Sequence, residues 1–183
     1  MTCRCSVFIA QSLDGYIAKS DDSIEWLDGV PELDDGFDFG YAELFASVDA
    51  LVFGRRTYNK VDSFADWPYG DKPVIVMSRT TVATPPEGRD VTFSRESPRQ
   101  LVERLTTAGA TRLYIDGGQL IQSFLREHLI DDLNISTIPV LLGDGISLFG
   151  ELSDEVWLDL QDSQWYANGI VQTRYRVRES AGN

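Results

Sequence analysis

The sequence predicts an α/β domain with a mostly parallel central sheet, helices on both faces and an antiparallel hairpin near its end. Three observations favour this fold class. Short apolar runs, typical of strands that are buried on both faces, alternate with segments of helical periodicity. Turns that contain glycine follow several of these runs. Asn168-Gly169, between two strand-like segments, is a strong hairpin signal.

The composition limits the class of protein and the kinds of partner that are compatible with this sequence. The 183 residues suit a single domain over 1–183, and 43% apolar and 25% charged residues are typical of globular proteins. The net charge of -13 disfavours binding to nucleic acid or anionic membranes. Any site for a phosphorylated ligand must therefore be locally basic. The beginning of the chain lacks a long apolar run, so we expect no signal peptide, no membrane anchor and a cytoplasmic location.

The cysteines and the histidine indicate little redox or metal chemistry. Cys3 and Cys5 are two residues apart on an extended segment, too close for an easy disulfide, and no CxxC motif is present. His128 is far from both in sequence, so a zinc site lacks ligands. We interpret the two thiols as reduced residues at the start of a strand and predict no metal site.

The elements of the first half follow from apolar patterns. The run Ser6–Ala10 predicts a first strand, which ends before the turn Asp14-Gly15. The acidic stretch from Ser20 to Gly36 is too polar for the core and long for a connection, which favours a lid or local elaboration. Apolar residues at i, i+3, i+4 and i+7 predict a helix from Tyr41 to Val48. Next come a strand at Ala50–Phe53, a helix at Arg55–Val61 and strands at Pro73–Met77 and Val91–Phe93.

The second half continues the alternation. Ser97 and Pro98 have the pattern of a helix N-cap and first turn, and Gly109 is placed to end that helix. A strand at Leu113–Ile115 leads to Gly117-Gly118 and another helix. The remaining predicted strands are Leu133–Ile138, Val156–Tyr166 and Ile170–Val177.

Three turns at the carboxyl ends of predicted strands are candidate ligand sites, because ligands bind at that edge of open α/β sheets. In the first turn, which begins at Gly54, the Thr57 hydroxyl, the guanidinium groups of Arg55 and Arg56 and the backbone N–H groups can bind phosphate oxygens. In the third, two glycines let the backbone approach a ligand closely. Each turn alone is also compatible with an ordinary surface turn. A G-x-G-x-x-G motif is absent, which disfavours a standard Rossmann site. The turns are Gly54-Arg55-Arg56-Thr57-Tyr58, Ser78-Arg79 and Gly117-Gly118.

Taken in order, these segments resemble the dihydrofolate reductase superfamily, including the reductase domain of riboflavin biosynthesis. The resemblance extends from about Ser6 to Phe149, and the final hairpin also suits that fold. It implies a dihydrofolate-reductase-like three-layer fold. The matching pieces are SLDGYIA at Ser12, GRRTY at Gly54, VMSR at Val76, YIDGG at Tyr114 and DDLNISTIPVLLGDGISLF at Asp131.

The resemblance also implies NADPH as the cofactor. In the family, the first turn holds cofactor phosphates, and the Ser-Arg pair after the next strand embraces the 2′-phosphate. The glycine pair, often joined by a cis peptide, packs against the nicotinamide and the diphosphate. Arginines around a 2′-phosphate favour NADPH over NADH. The implied cofactor-binding residues are Ala10, Ile17, Gly54, Arg55, Arg56, Thr57, Ser78, Arg79, Gly117, Gly118 and Gln119.

For substrate binding, the resemblance implies a carboxylate on the first helix. Dihydrofolate reductases carry one there, which binds the amidine-like edge of the pterin and assists protonation. Counting back from Gly54 without a gap assigns this catalytic position to Asp38. Asp38 is three residues before Tyr41, so it lies on the apolar stripe if the helix extends that far; alternatively, it caps the helix. Asp35 and Glu43 are further candidates.

Two more residues are implied on the substrate side. Ser136 matches a position at which the family often has a threonine that supports the carboxylate and the substrate. Tyr41 is suited to stacking on a flat ring, although a tyrosine of the core explains it equally well.

The sequence departs from true dihydrofolate reductases in this region. Their Pro-Trp pair is missing, since Trp26 is twelve residues ahead of Asp38 and has no adjacent proline. The acidic stretch from Ser20 to Gly36 also disfavours a folate with a glutamate tail.

The resemblance implies an NADPH-dependent reductase that transfers a hydride to a pterin-like (dihydrofolate) or aminopyrimidine-like heterocycle. It also implies a homodimer. The alternative is a non-catalytic NADP-binding or stress-associated protein of the same fold. Redox chemistry at Cys3 or Cys5 is a third, distant possibility.

Overall fold

The computed structural model describes residues 3–33, 37–80 and 87–178, which are organised around a twisted sheet. The strands are β1 (Arg4–Ser12), β2 (Tyr16–Ala18), β3 (Ala50–Gly54), β4 (Val74–Met77), β5 (Val91–Ser94), β6 (Arg112–Asp116), β7 (Asp132–Ile138), β8 (Ile146–Ser147), β9 (Leu158–Trp165) and β10 (Val171–Val177). The helices are α1 (Tyr41–Ser47), α2 (Arg55–Asp62), α3 (Pro98–Thr107) and α4 (Gly118–Arg126).

Eight of the strands form one sheet in the order β5-β4-β3-β6-β1-β7-β10-β9. The first six strands of this order are parallel, whereas β10 is antiparallel to both β7 and β9. The predicted α/β fold, with its mostly parallel sheet and closing hairpin, is confirmed. The hairpin loop covers residues 166–170, and Gly169 adopts the left-handed conformation that the Asn-Gly signal predicts (φ +87°).

Apolar clusters cover both faces of this sheet. On one face, Leu101 of α3 and Phe124 of α4 are fully buried against residues of β1, β3 and β6. On the other face, Leu44 of α1 and Tyr58 of α2 pack against Phe53 and its neighbours. The two clusters give the three layers that the resemblance implies.

Helix ends follow the predicted capping chemistry in α3. The Ser97 hydroxyl accepts a hydrogen bond from the Gln100 N–H, and the Gln100 side chain accepts one from the Ser97 N–H. This reciprocal pair is a capping box. Gly109, just past the helix, has a φ of +97°, which glycine adopts without steric cost.

A small second sheet, formed by β2 and β8, was not predicted from the sequence. Tyr16 and Ala18 pair with Ser147 and Ile146, so segments about 130 residues apart meet here. Strands of three and two residues are too short to show a periodicity of their own. The sheet positions Ile17 and Ile146 beside the carboxyl edge of the main sheet.

The acidic stretch after β2 contains a short 3-10 helix, Glu25–Gly29. Asp22, Ile24 and Leu27 of this stretch face α2 across a cleft. The stretch is thus a local elaboration that borders a cleft, as its length indicated, and residues 34–36 are outside the described part. No helix in the described ranges is both long and apolar enough to span a membrane.

Candidate functional site

A large cleft opens at the carboxyl ends of β1, β3, β4, β5 and β6, with a volume of about 1410 Å³. Single small-molecule sites commonly measure about 300–1,000 Å³, so this cleft has room for a dinucleotide and a second ligand. Parallel strands bring the turns that follow them to one edge of a sheet, which is why residues far apart in sequence meet here.

The structure brings together every residue for which cofactor binding was predicted. All of them line this cleft, although they come from the ends of four strands, the start of two helices and the small sheet. They are Ala10, Ile17, Gly54, Arg55, Arg56, Thr57, Ser78, Arg79, Gly117, Gly118 and Gln119.

Arg55 is the strongest structural indication of an anionic ligand. Its guanidinium carbon lies 5.5 Å from the centre of the Phe93 ring, and its Nη1 atom is buried without a hydrogen-bond partner. A buried charge without a partner is costly, and phosphate oxygens would satisfy it. The residues of this part of the cleft therefore fit the diphosphate or 2′-phosphate of NADPH.

A side chain is disfavoured at both Gly117 and Gly118, but for different structural reasons. Gly117 has a φ of +107°, and a Cβ atom there would lie 2.5 Å from the Thr57 hydroxyl oxygen. Gly118 lies in the first turn of α4, where a Cβ atom would lie 2.9 Å from both Ile17 Cδ1 and the Ser147 carbonyl oxygen. A side chain at Gly118 would thus collide with the small sheet, so the structure gives this glycine a packing reason in addition to the predicted approach to a ligand.

The peptide between the two glycines also differs from the family pattern. The described residues include no cis peptide bond, so Gly117 and Gly118 are joined in trans.

Asp38 lies two residues before Gly40, the N-cap residue of α1, and its side chain binds backbone N–H groups at the start of this helix. Its carboxylate accepts hydrogen bonds from the N–H groups of Gly40 (2.9 Å) and Ala42 (2.7 Å). These bonds, that from Ala42 above all, hold the pKa of the carboxyl below its ordinary value. Helix α1 begins only at Tyr41, and Asp38 is exposed. The expectation that the helix carries Asp38 on its apolar stripe is therefore wrong, and Asp38 is not among the residues that line the cleft.

The predicted substrate residues belong to the scaffold around the cleft. Tyr41 packs edge-to-face on Phe8, with ring centres 5.6 Å apart, and burial raises its pKa to about 12. Ser136 is buried, with its hydroxyl 3.4 Å from the side-chain nitrogen of Gln172. Glu43 is exposed on α1, and Asp35 lies outside the described residues. Neither Tyr41 nor Ser136 lines the cleft.

Asp116, at the end of β6, is the acid that lines the cleft beside the glycine pair. Burial raises its pKa to about 6, against a partial opposing effect of the hydrogen bond from the Gly117 N–H. Burial raises the pKa values of Tyr41, Tyr69 and Tyr114, and the charge of the Asp116 carboxyl raises them further. Strongly shifted acids in a cleft are candidate functional groups.

Sequence reasoning missed Asp116 although the YIDGG motif contains it. An acid directly between a buried strand and a glycine pair was the available signal. The resemblance instead implied a carboxylate on the first helix, so this signal did not enter the prediction of the catalytic residue.

The two thiols are unsuited to redox or nucleophilic chemistry. Cys3 and Cys5 are both buried, and burial raises the pKa of Cys3 to about 11 and that of Cys5 further. The reactive thiolate is therefore scarce near neutral pH. Within the described ranges, no three His, Cys, Asp or Glu side chains are grouped to hold a metal ion.

Comparisons with known proteins identify the family of this chain. Residues 5–172 match the RibD C-terminal domain. This chain belongs to that family. It is 38% identical to the uncharacterised protein YwjB of Bacillus subtilis strain 168. That match covers 168 residues, which are 90% of this chain and 92% of YwjB.

Solved structures confirm the dihydrofolate-reductase-like fold. A protein from Shewanella sp. PV-4 that is provisionally assigned to riboflavin biosynthesis has a TM-score of 0.87 and 39% identity, over 98% of this chain and 100% of that chain. Dihydrofolate reductase from Enterococcus faecalis, complexed with NADP(H), has a TM-score of 0.65 and 15% identity, over 98% and 100% of the chains. The second likeness shows the fold alone. The match to the RibD C-terminal domain family supports a reductase-like role for this protein.

Proposed function

We propose that this protein is an NADPH-dependent reductase of a small nitrogen heterocycle, pterin-like or aminopyrimidine-like. The observation that carries the proposal is the presence, in one cleft, of the Arg55 guanidinium, whose buried Nη1 atom lacks a hydrogen-bond partner, and of the half-buried acid Asp116. The first fits a phosphate of the cofactor, and the second fits a proton donor to the substrate.

The cofactor would lie along the basic half of the cleft. Arg55, Arg56 and Thr57 would hold its diphosphate at the start of α2, and Ser78 and Arg79 would hold the 2′-phosphate. Ala10 and Ile17 would border the nicotinamide. When bound, NADPH supplies the hydride that reduces a carbon of the substrate. The chain itself binds and orients the two ligands and excludes water from between them.

Asp116 would complete the reaction by protonation. Reduction of a C=N bond adds a hydride to carbon and a proton to nitrogen. A carboxyl with a pKa of about 6 is still partly protonated near neutral pH, so it can donate that proton and regain one from solvent through the cleft. Before the transfer, the same group can hold the N–H edge of the ring by hydrogen bonds.

The test is NADPH oxidation, followed by absorbance, with a panel of dihydropterins, folates and aminopyrimidines. We expect turnover with at least one compound and tighter binding of NADPH than of NADH. Binding of NADPH without oxidation across the panel would favour the non-catalytic alternative. A protein that binds neither cofactor would contradict the proposal altogether.

The proposal includes a cytoplasmic two-fold dimer. The end of the sheet leaves β9 as an edge strand. Trp157, Leu160 and Trp165 of this region are all more than half exposed. Apolar surface on an open edge is a suitable interface for a second copy of the chain.

A further inference from the structure

We propose that Tyr114 is a positioning residue for the proton donor Asp116. Its hydroxyl donates to the Phe8 carbonyl oxygen while the Asp116 carboxyl is protonated, and it turns to donate to the carboxylate once the proton has left. The inference rests on the proposed reductase function and adds a residue to the same site.

The Tyr114 hydroxyl lies where two parallel strands separate. The pairing of β1 with β6 ends at Ser6 and Tyr114. Two residues further along, Phe8 of β1 and Asp116 of β6 line the cleft. In a ladder that continued, the Phe8 carbonyl oxygen would accept a hydrogen bond from a backbone N–H of the neighbouring strand. Here it accepts one from the Tyr114 hydroxyl, at 2.9 Å. This side chain therefore bridges the two strands at the edge of the cleft.

The same hydroxyl is hydrogen-bonded to the Asp116 carboxyl. Tyr114 and Asp116 are two residues apart on β6, so their side chains project from the same face of the sheet. Tyr114 is only 6% exposed, and its ring contacts that of Tyr41 edge-to-face, with ring centres 6.2 Å apart. Packing thus fixes the ring, and the hydroxyl hydrogen alone can move between the two acceptors.

A phenol has one hydrogen to donate, so the charge of Asp116 decides where it points. Beside a neutral carboxyl, the hydrogen stays with the Phe8 carbonyl oxygen. When Asp116 gives its proton to a substrate nitrogen, the carboxylate becomes the stronger acceptor, because hydrogen bonds to an ionised group are about twice as strong as neutral ones. Rotation about the C–O bond of Tyr114 then stabilises the carboxylate without breaking a covalent bond. Water later returns a proton to Asp116, and the hydroxyl turns back.

The other groups that face the Asp116 carboxyl leave this role to Tyr114. The hydroxyls of Tyr41, on α1, and of Tyr69, between α2 and β4, act on it only through their charge. The side chains of β1 that line the cleft are apolar. Arg55, at the start of α2, is directed to the ring of Phe93 on β5. The remaining hydrogen bond to the carboxyl comes from a backbone group, the N–H that follows β6.

The first experiment titrates Asp116 by NMR in protein labelled with 13C at the aspartate carboxyl carbons, with Asp116→Asn to assign the resonance. We expect a midpoint near pH 6 in the unchanged protein. In Tyr114→Phe the midpoint should rise by about half a unit or more, because the carboxylate loses a hydrogen bond while its burial remains. Tyr69→Phe is the matched control. It removes another hydroxyl near the carboxyl, one without a hydrogen bond to it, and should leave the midpoint unchanged.

The dependence of kcat on pH, measured with NADPH, separates this role from a structural one. A rate that requires a protonated acid falls as pH rises through the pKa of that acid. In Tyr114→Phe the fall should move to higher pH, and the plateau below it should be severalfold lower, because the carboxylate that forms is less stable. A purely structural role would lower the rate without moving the fall.

A measurement on the unchanged protein covers the case that Tyr114→Phe does not fold. The ring carbon of Tyr114 that bears the hydroxyl, labelled with 13C, should titrate with the midpoint of Asp116 as the hydrogen changes its acceptor. The same carbon of Tyr69 senses the charge without exchanging a hydrogen bond, so its resonance should move less.

An Asp116 midpoint that is unchanged or lower in Tyr114→Phe would overturn the inference. Equal titration of the two tyrosine carbons, or an unmoved pH profile, would do the same. An upward shift of the midpoint in a protein that oxidises NADPH with no compound of the panel has a different meaning. It would support the inference about the Tyr114 hydroxyl while contradicting the proposed reductase function.

Discussion

The raised pKa of the Asp116 carboxyl suits proton transfer but lowers the stability of the folded protein at neutral pH. Its pKa of about 6 exceeds the ordinary 3.8, so the folded protein favours the neutral form. Below pH 3.8 the group is protonated in both folded and unfolded chains. As pH rises from there through 6, the unfolded chain ionises first, and the folded protein loses stability.

Asp116→Asn should therefore stabilise the fold while it removes activity. Above pH 7, we expect a gain of about 1–2 kcal/mol in the free energy of unfolding, after allowance for the partial exposure of the side chain. The gain should vanish near pH 4. Turnover should drop by roughly a hundredfold, as is typical for the loss of a general acid. Thermal melts at both pH values and steady-state kinetics measure these effects, and an undiminished rate would exclude Asp116 from catalysis.

Arg79 gives a test of cofactor choice at the scale of a single residue. If its guanidinium binds the 2′-phosphate, Arg79→Ala should weaken NADPH binding by roughly tenfold or more and leave NADH almost unaffected, because NADH lacks that phosphate. Fluorescence titrations with both cofactors measure this difference. Arg176→Ala is the matched control, since Arg176 is exposed on β10 away from the cleft. A parallel loss for both cofactors would contradict the assignment.

Substitutions of Asp38 distinguish a role at the start of the helix from a role in catalysis. Asparagine is as good a cap as aspartate, so Asp38→Asn should keep both the fold and the reductase rate. Asp38→Ala should lower stability by about 1 kcal/mol through loss of the hydrogen bonds to Gly40 and Ala42. A hundredfold lower rate in a normally folded Asp38→Asn protein would restore the catalytic role that the resemblance implies.

At the scale of elements, the small sheet depends on one acidic side chain. Asp14 accepts hydrogen bonds from the N–H groups of Leu142 (3.1 Å) and Gly143 (2.7 Å), which joins the turn before β2 to the loop before β8. The Ser12 hydroxyl also donates to Asp14, at 2.6 Å. These bonds hold the pKa of Asp14 below its ordinary value. The sheet that they anchor carries Ile17 and Ile146 into the cleft.

Asp14→Ala should consequently raise the KM for NADPH severalfold, with a smaller change in kcat, because the wall beside the nicotinamide loses its anchor. Cofactor titrations and kinetics measure the split. Asp154→Ala, in an exposed loop away from the cleft, is the control. Unchanged cofactor affinity in the Asp14 variant would show that the sheet holds its position without this residue.

The sequence predicts the elements of the main sheet because each has a strong local signal. Buried strands such as Val74–Met77 are uninterrupted apolar runs, and α3 carries its own capping residues. The small sheet escapes prediction because its pairing joins distant segments of a few residues each. The residues predicted to bind the cofactor could be named from the sequence because they lie in turns with distinctive residue types, which carry the resemblance. The position of Asp116 between a buried strand and a glycine pair is visible in the sequence, but its raised pKa comes from burial, which the sequence does not show.

The charge of the whole molecule bears on its assembly. A chain with a net charge of -13 repels its own copies, so a dimer requires an apolar interface. We expect a dimer at moderate salt, and we expect Trp165→Glu, which adds a charge to a side chain that is 77% exposed, to shift it toward the monomer. Light scattering at micromolar concentration measures the mass. A monomeric mass for the unchanged protein would contradict the proposed dimer, but it would not bear on the proposals about the cleft.

The position of β1 also has a consequence for how the molecule is made. Although β1 is the first strand along the chain, it lies between β6 and β7 and pairs with residues more than 100 positions later. Ribosomes add about 5–20 residues per second, so this strand waits several seconds for its neighbours. Pairing over such separations also folds slowly. Strand β1 can pair with β6 only after residue 116 has emerged, and Ile146 of β8, which also lines the cleft, emerges later still, so the cleft is one of the last features of the nascent protein to form.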